Sequence, residues 1–102
     1  MNRGEIWWLE HPQRGRHPAV ILTRQAAIPV LQQLAVATAT TRIRGIATEV
    51  QLGPEDGMPR ACVLTLDNVG TVRKALLTER ITRLGPTKLA EVCRALNVAM
   101  GC

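Results

Sequence analysis

Residues 3–23 read RGEIWWLEHPQRGRHPAVILT, and this stretch decides the fold. Arg3–Glu10 is a short run rich in β-forming residues, and His11–Arg16 supplies the proline and glycine of a turn. Ala19–Thr23 is a continuous apolar run entered through Pro18, which is typical of a strand buried on both faces. The stretch therefore predicts two successive β-strands joined by a turn, with Pro18 at the first position of the second strand.

The remainder of the chain predicts further short strands and one closing helix. Apolar runs or alternation favour strands at Leu34–Ala39, Ile46–Leu52, Ala61–Leu66, Val69–Arg73 and Arg80–Leu84, with a loop at Gly53–Arg60. From Pro86 to Gly101, apolar residues recur at helical spacing, namely Leu89, Val92, Cys93, Leu96 and Met100. We therefore expect an amphipathic helix at the C-terminal end.

Length and element order together predict the architecture. The 102 residues form one domain, residues 1–102, because a second hydrophobic core would have too few residues to close around. Short strands followed by one helix favour a mainly β fold, a small curled barrel or sheet with a C-terminal α-helix packed against it. A domain of this size gains burial by pairing with a second copy, so we also expect a homodimer.

The charge of the chain is basic and segregated. The formal net charge is +5, and of the 13 cationic side chains only Lys74 and Lys88 are lysines. Between His11 and Arg44 no acidic residue occurs, whereas the basic ones are Arg14, Arg16, Arg24, Arg42 and Arg44. Arginine binds phosphate oxygens bidentately, and a solvated surface normally mixes the two signs of charge. This stretch therefore predicts a phosphate-binding face, although base composition of the genome also explains arginine in place of lysine.

Several classes of site and compartment are disfavoured. His11 and His17 lack a third ligand at a familiar spacing, so we expect no metal, and no motif predicts a bound cofactor. Cys62, Cys93 and Cys102 form no Cys-x-x-Cys pair, which favours a reducing compartment. Without an apolar leader or membrane span, the expected location is the cytoplasm, with no membrane association.

The chemistry that remains needs few groups. RNA carries its own nucleophile, the 2′-hydroxyl, so a protein only has to take its proton, stabilise the charged phosphorane and protonate the leaving oxygen. Arg16 and His17 place an imidazole beside a permanently charged guanidinium at the start of a strand. Taken alone, His17 is more typical of a partly buried histidine whose ring caps the strand end, and its arginine neighbours reduce that preference.

A second group of candidates follows the predicted third strand. Thr40 and Thr41 alone are ordinary strand-end threonines. Together with Arg42 and Arg44 they offer hydroxyl and guanidinium groups for a phosphate opposite the Arg16/His17 turn, with Arg14 as a further contact. Of the adjacent tryptophans, Trp7 and Trp8, one is expected in the core, and the other either stacks on a base or lies in a subunit interface.

An ordered set of these segments resembles the MazF/PemK/Kid family. The set comprises the RGEIWWL start, the GRHPAVIL run after one turn, the VATATT strand end, Leu66-Asp-Asn-Val and the closing helix. The resemblance covers nearly the whole chain. It implies an SH3-like barrel with a terminal helix, a homodimer, and the toxin of a type II toxin–antitoxin pair.

The resemblance also implies an activity and a partner. Members of this family cut single-stranded RNA, including mRNA, at short sequences without a metal, leave a 2′,3′-cyclic phosphate, and so inhibit translation and growth. They are silenced by a cognate antitoxin whose acidic C-terminal segment lies in the RNA groove. The implied function is a metal-independent, sequence-specific endoribonuclease, an mRNA interferase.

The family pattern assigns roles to residues of this chain, with one departure. Its catalytic arginine usually stands directly before the proline of the second strand, where this chain has His17, with Arg16 one position earlier. Its catalytic threonine matches Thr40, with Thr41 as the second choice. The expected catalytic set is therefore Arg16, His17 and Thr40, and the expected RNA-binding set is Arg14, Thr41, Arg42 and Arg44.

Two other functions remain open at this point. One is a module of the same fold that has lost catalysis through the change at His17 and only binds nucleic acid or an antitoxin. The other is a toxin of the same fold that targets gyrase.

Overall fold

The computed structural model describes all residues from Met1 to Cys102. Its regular elements, in chain order, are β1 (Glu5–His11), β2 (Gly15–Ile21), β3 (Gln33–Thr40), β4 (Glu49–Leu52), β5 (Cys62–Arg73), β6 (Leu77–Arg83) and α1 (Pro86–Met100). The strands form one antiparallel sheet in the order β4-β5-β3-β2-β1-β6. The predicted mainly β class with a C-terminal helix is confirmed.

The β1–β2 hairpin is longer than the sequence predicted. The second strand was expected at Ala19–Thr23, but β2 begins at Gly15, because its pairing with β1 continues until His11 lies opposite Gly15. Gly15 has a φ of +79°, a left-handed conformation that favours glycine. Pro18 has no N–H to donate to a neighbouring strand, and the pairing of β2 with β3 begins only at Ala19. The first half of β2 thus separates from β3.

Strand β5 is continuous, whereas the sequence predicted separate strands at Ala61–Leu66 and Val69–Arg73. Its first half pairs with β4 on one side and, at Val63 and Leu64, with β3 on the other, and most of its second half pairs with β3. The register with β3 slips between two pairs, Ala37 opposite Val69 and Ala39 opposite Leu64. The extra residues on β5 form a bulge that bends the sheet and leaves Asp67 outside the ladder.

Two other strand predictions needed new bounds. The strand predicted at Ile46–Leu52 is limited to Glu49–Leu52, because Gly45 at φ +72° turns the chain and leaves Ile46 45% exposed. The last strand was predicted at Arg80–Leu84 but already begins at Leu77, where β6 pairs with β1.

The helix was predicted with its bounds. Pro86 is its first residue, and Gly101 ends it with a φ of +69°. Val92 and Ala95 are buried against the sheet, whereas Met100, expected on the apolar face, is 58% exposed. None of the helices meets the length and apolarity that crossing a bilayer requires.

The sheet carries a core on each face. One core includes Ile6, Val20, Leu64 and the buried residues of α1. The second core consists of Leu9, Ala19, Ile21, Ile28, Leu34, Val36 and Leu77. As expected, one tryptophan contributes to a core: Trp7 packs against the second core, whereas Trp8 lines a cavity, and both are partly buried.

Candidate functional site

The largest cavity of the molecule is an open cleft of about 730 Å³. It spans the start of β2, the end of β3, the segment that follows β3, and the bulge of β5. Its basic and hydroxyl groups include His11, Arg14, His17, Thr40, Arg42 and Arg44. Asp67 is the one acidic residue in its lining. The cleft therefore concentrates positive charge that the acid-free sequence stretch supplies.

His17 lies in β2 opposite Leu9, with an exposed side chain. Its Nε2 lies 2.8 Å from the carbonyl oxygen of Arg14. A carbonyl oxygen only accepts hydrogen bonds, so Nε2 carries the proton in this contact. In the neutral ring, Nδ1 is consequently the unprotonated nitrogen that is able to take a proton.

Thr40 is the last residue of β3 and lines the same cleft as His17. Its Oγ1 accepts a hydrogen bond of 3.2 Å from the N–H of Arg42, which leaves its hydroxyl hydrogen available to donate. The pairing of β2 with β3 begins only at Ala19, so a space opens between the start of β2 and the end of β3. His17 and Thr40 both line this space. The cleft thus brings together an imidazole, a hydroxyl and guanidinium groups.

Arg16 is not brought into the cleft, whereas the sequence analysis expected it beside His17 at a phosphate. Adjacent residues of a strand point to opposite faces of the sheet. The Arg16 guanidinium instead forms a salt bridge of 3.0 Å with Glu79 and stacks 4.3 Å from the centre of the Trp8 ring. Its partners belong to β1 and β6, on the side of β2 away from β3.

The segment after β3 carries the other predicted contacts. Arg42 and Arg44 line the cleft, and Thr41 lines a second, adjoining cavity. Glu49 anchors this segment, since its Oε1 accepts the backbone N–H groups of Arg44 at 3.0 Å and Gly45 at 2.9 Å. The path of the two arginines therefore depends on a carboxylate at the start of β4.

Two titratable residues of the cleft were not among the predicted site residues. His11 lines the cleft, and its Nδ1 accepts N–H groups from Gln13 at 3.1 Å and Arg14 at 3.2 Å. Asp67 lines the cleft and accepts the hydroxyl of Thr48. The available signal was the Leu66-Asp-Asn-Val run, which served only for the resemblance.

The buried carboxylate of Glu5 lies at the start of β1, in the hairpin that carries His17. Glu5 is 5% exposed and accepts hydrogen bonds from Asn2 and from Nε1 of Trp7, with Nε of Arg80 at 3.3 Å. Burial alone raises the pKa of Glu5, but these hydrogen bonds and the charge of Arg80 outweigh it, so the pKa lies below its ordinary value of 4.5. Glu5 is therefore ionised at neutral pH.

Comparison with known proteins gives consistent matches over nearly the whole chain. Residues 2–100 match the family described as the PemK-like, MazF-like toxin of type II toxin–antitoxin system. The probable endoribonuclease MazF5 of Mycobacterium tuberculosis is 46% identical over 101 residues, which cover 98% of this chain and 93% of that protein.

Two solved structures share the architecture. The Mycobacterium tuberculosis toxin MazF-mt6 superposes with a TM-score of 0.88 at 29% identity, over 95% of this chain and 96% of the other. An endoribonuclease in complex with its cognate antitoxin, from a mycobacterial species, gives a TM-score of 0.91 at 25% identity, over 99% and 95%. The curled sheet with a closing helix is thus the fold of MazF toxins.

Proposed function

The chain belongs to the PemK-like, MazF-like toxins of type II toxin–antitoxin systems, and from this premise we propose that it cleaves single-stranded RNA in the cytoplasm without a metal. The observation that carries the proposal is the shared cleft. It combines an imidazole, a threonine hydroxyl and three guanidinium groups along one open path. Phosphoryl chemistry on RNA needs these groups and little else, because the ribose supplies the nucleophile.

In the proposed reaction, Nδ1 of His17 takes the proton of the 2′-hydroxyl as that oxygen bonds to the adjacent phosphorus. The bond between phosphorus and the 5′-oxygen breaks, and the leaving oxygen takes a proton from water in the open cleft. The products are a 2′,3′-cyclic phosphate and a 5′-hydroxyl end. The imidazolium then returns its proton to solvent.

The remaining groups stabilise charge and hold the strand. The Thr40 hydroxyl donates to a non-bridging phosphate oxygen, and Arg14, Arg42 and Arg44 neutralise the phosphorane and the neighbouring phosphates. The contacts of Arg16 with Glu79 and Trp8 favour a minor structural role on the β1–β6 side of the hairpin, outside the cleft. Sequence specificity then depends on the side chains around the scissile phosphate.

The proposed partners are a second copy of the chain and an antitoxin with an acidic C-terminal segment. The antitoxin is supported by the related endoribonuclease that was solved with its cognate antitoxin and by the basic lining of the cleft. An extended acidic segment presents carboxylates to the guanidinium groups that otherwise hold phosphates, so binding of antitoxin and RNA is mutually exclusive.

The test is cleavage of a long single-stranded RNA by antitoxin-free protein in EDTA, with both new ends mapped. We expect cyclic-phosphate ends, strong loss of cleavage in His17→Ala and Thr40→Ala, and no loss in Arg83→Ala, an exposed arginine outside the cleft. Binding to RNA without any cleavage would favour the binding-module alternative. Inhibition of DNA supercoiling without either would favour a gyrase-directed toxin.

A further inference from the structure

A second cavity of about 410 Å³ adjoins the cleft, and both are lined by His17 and Thr40. Trp8 and Pro18 of the β1–β2 hairpin contribute to its wall. The segment between β4 and β5 adds Met58, Pro59 and Arg60, and β5 adds the buried Cys62. The proposed reaction therefore takes place at the boundary between two cavities.

The two cavities differ in chemistry. Apart from the shared His17, the cleft contains three arginines, whereas Arg60 is the one permanently charged residue in the second cavity. Burial, together with the negative charge of Asp56, raises the pKa of the Cys62 thiol, so it is neutral at physiological pH. Phosphates favour the first environment, whereas a flat, weakly polar group favours the second.

A nucleotide contains both a charged phosphate and a flat, weakly polar base. If the scissile phosphate lies at His17 and Thr40, a ribose and base attached to it are within reach of the second cavity. Its volume accommodates a single base, since small-molecule sites begin at about 300 Å³. Arg16 covers one face of the Trp8 ring, so the remaining surface of Trp8 and Pro18 provide the apolar contact for a base, and the Thr41 hydroxyl and the Arg60 guanidinium provide donors for its edge.

We propose that this second cavity binds one nucleobase of a nucleotide that flanks the scissile phosphate, and that Arg60 contributes to the choice of base there. The inference rests on the proposed function, because it takes the position of the phosphate from it. It assigns sequence preference to the segment between β4 and β5, which lies outside the basic stretch of the sequence.

The test uses binding of short RNAs made non-cleavable by 2′-deoxy substitution at the attacking ribose, with an abasic site placed at each position in turn. For the wild type, we expect affinity to fall about tenfold when the base of one flanking nucleotide is missing. Arg60→Ala removes a hydrogen-bond donor, and Thr41→Trp fills the cavity. Each variant is expected to abolish most of the affinity difference between the intact and the abasic RNA. Arg83→Ala and Thr87→Trp, exposed sites outside both cavities, are the matched controls and retain it.

The mapped ends of a random RNA pool provide a second readout. Arg60→Ala is expected to flatten base preference at that flanking position and leave the other positions unchanged. If wild type cuts RNA but neither variant alters the abasic effect or the preference, the base site is wrong and the proposed function stands. If wild type never cuts, yet the abasic effect is present and is lost in both variants, the base site stands and the nuclease proposal fails. Equal affinity for every abasic RNA would overturn the base site.

Discussion

His17 occupies the position before the proline of the second strand, for which the family resemblance implies a catalytic arginine. A guanidinium stays protonated at neutral pH, whereas an imidazole exchanges a proton readily. The contact of Nε2 with the Arg14 carbonyl leaves Nδ1 free to accept one. The substitution thus favours proton transfer by His17 itself over charge stabilisation alone.

His17→Ala is expected to lower kcat for RNA cleavage by about 10²–10⁴-fold, because it removes the proposed general base. Arg16→Ala is expected to change kcat less than about threefold, since its partners Glu79 and Trp8 lie outside the cleft. Single-turnover cleavage of one defined RNA measures both. A large loss in Arg16→Ala beside an active His17→Ala would reverse the assignment.

Glu5→Gln is expected to lower the free energy of unfolding at pH 7 by about 1–3 kcal/mol, because it weakens hydrogen bonds to a buried charged acceptor. Since folding lowers the pKa of Glu5, this contribution is present above pH 4.5 and is lost as the pH falls through the lower folded-state pKa. Urea unfolding at pH 7 and at successively more acidic pH measures it. The two proteins should differ most at pH 7 and converge in acid; a constant difference would contradict this account.

At the level of elements, the segment between β3 and β4 connects scaffold and cleft. It has no regular structure from Thr41 to Ala47, and the hydrogen bonds from Arg44 and Gly45 to the Glu49 carboxylate fix its course. A capping acceptor of this kind positions neighbouring side chains without touching the substrate. Glu49 is accordingly a positioning residue.

Glu49→Ala is expected to raise the KM for RNA several-fold with little change in kcat, because Arg42 and Arg44 lose their fixed course while His17 and Thr40 keep theirs. Glu49→Gln retains an acceptor oxygen and should restore most of the affinity. Michaelis–Menten kinetics of the three proteins, with unfolding curves as a check on stability, measure this. Equal KM values for Ala and wild type would show that the arginines do not depend on this anchor.

Local signals predicted some elements well and others poorly. The helix was predicted correctly because Pro86 and Gly101 mark its ends and the apolar spacing has one period. The predicted start of strand β2 was too far along the chain, because a proline is commonly the first residue of a strand. Pro18 instead lies within β2, at the point where the pairing with β3 stops. The continuity of β5 depends on its pairing with β3 on both sides of the bulge and with β4 along its first half, which no local pattern contains.

At the level of the whole molecule, the fold turns a charge pattern in the sequence into a charged cleft. The acid-free stretch was visible in the sequence, and three of its arginines, Arg14, Arg42 and Arg44, line the cleft. The sequence did not indicate that Arg16 lies outside the cleft and that Asp67 lines it. Both depend on which face of the sheet a side chain occupies, and that is set by pairing between distant strands.

Each of these arginines is expected to contribute separately to the salt dependence of RNA binding. Replacing Arg42 by alanine should reduce the slope of log affinity against log salt by about 0.7, because one fewer counterion is released from single-stranded RNA. Fluorescence anisotropy with a non-cleavable RNA over a salt series measures the slope. Arg83→Ala is the control, and an identical slope in Arg42→Ala would exclude a phosphate contact by this residue.

The proposed reacting residues lie on β-strands, whereas the proposed RNA-binding residues lie on the segments between strands, and this arrangement affects how related sequences diverge. The proposed reacting groups, His17 and Thr40, lie on paired strands, whereas Arg42, Arg44 and Arg60 are exposed residues of the connections between strands. Connections tolerate exchange and changes of length far better than strands do. On the proposed assignment, mutations in two short segments are expected to change the cleavage sequence, while the scaffold and the proposed chemistry are inherited intact.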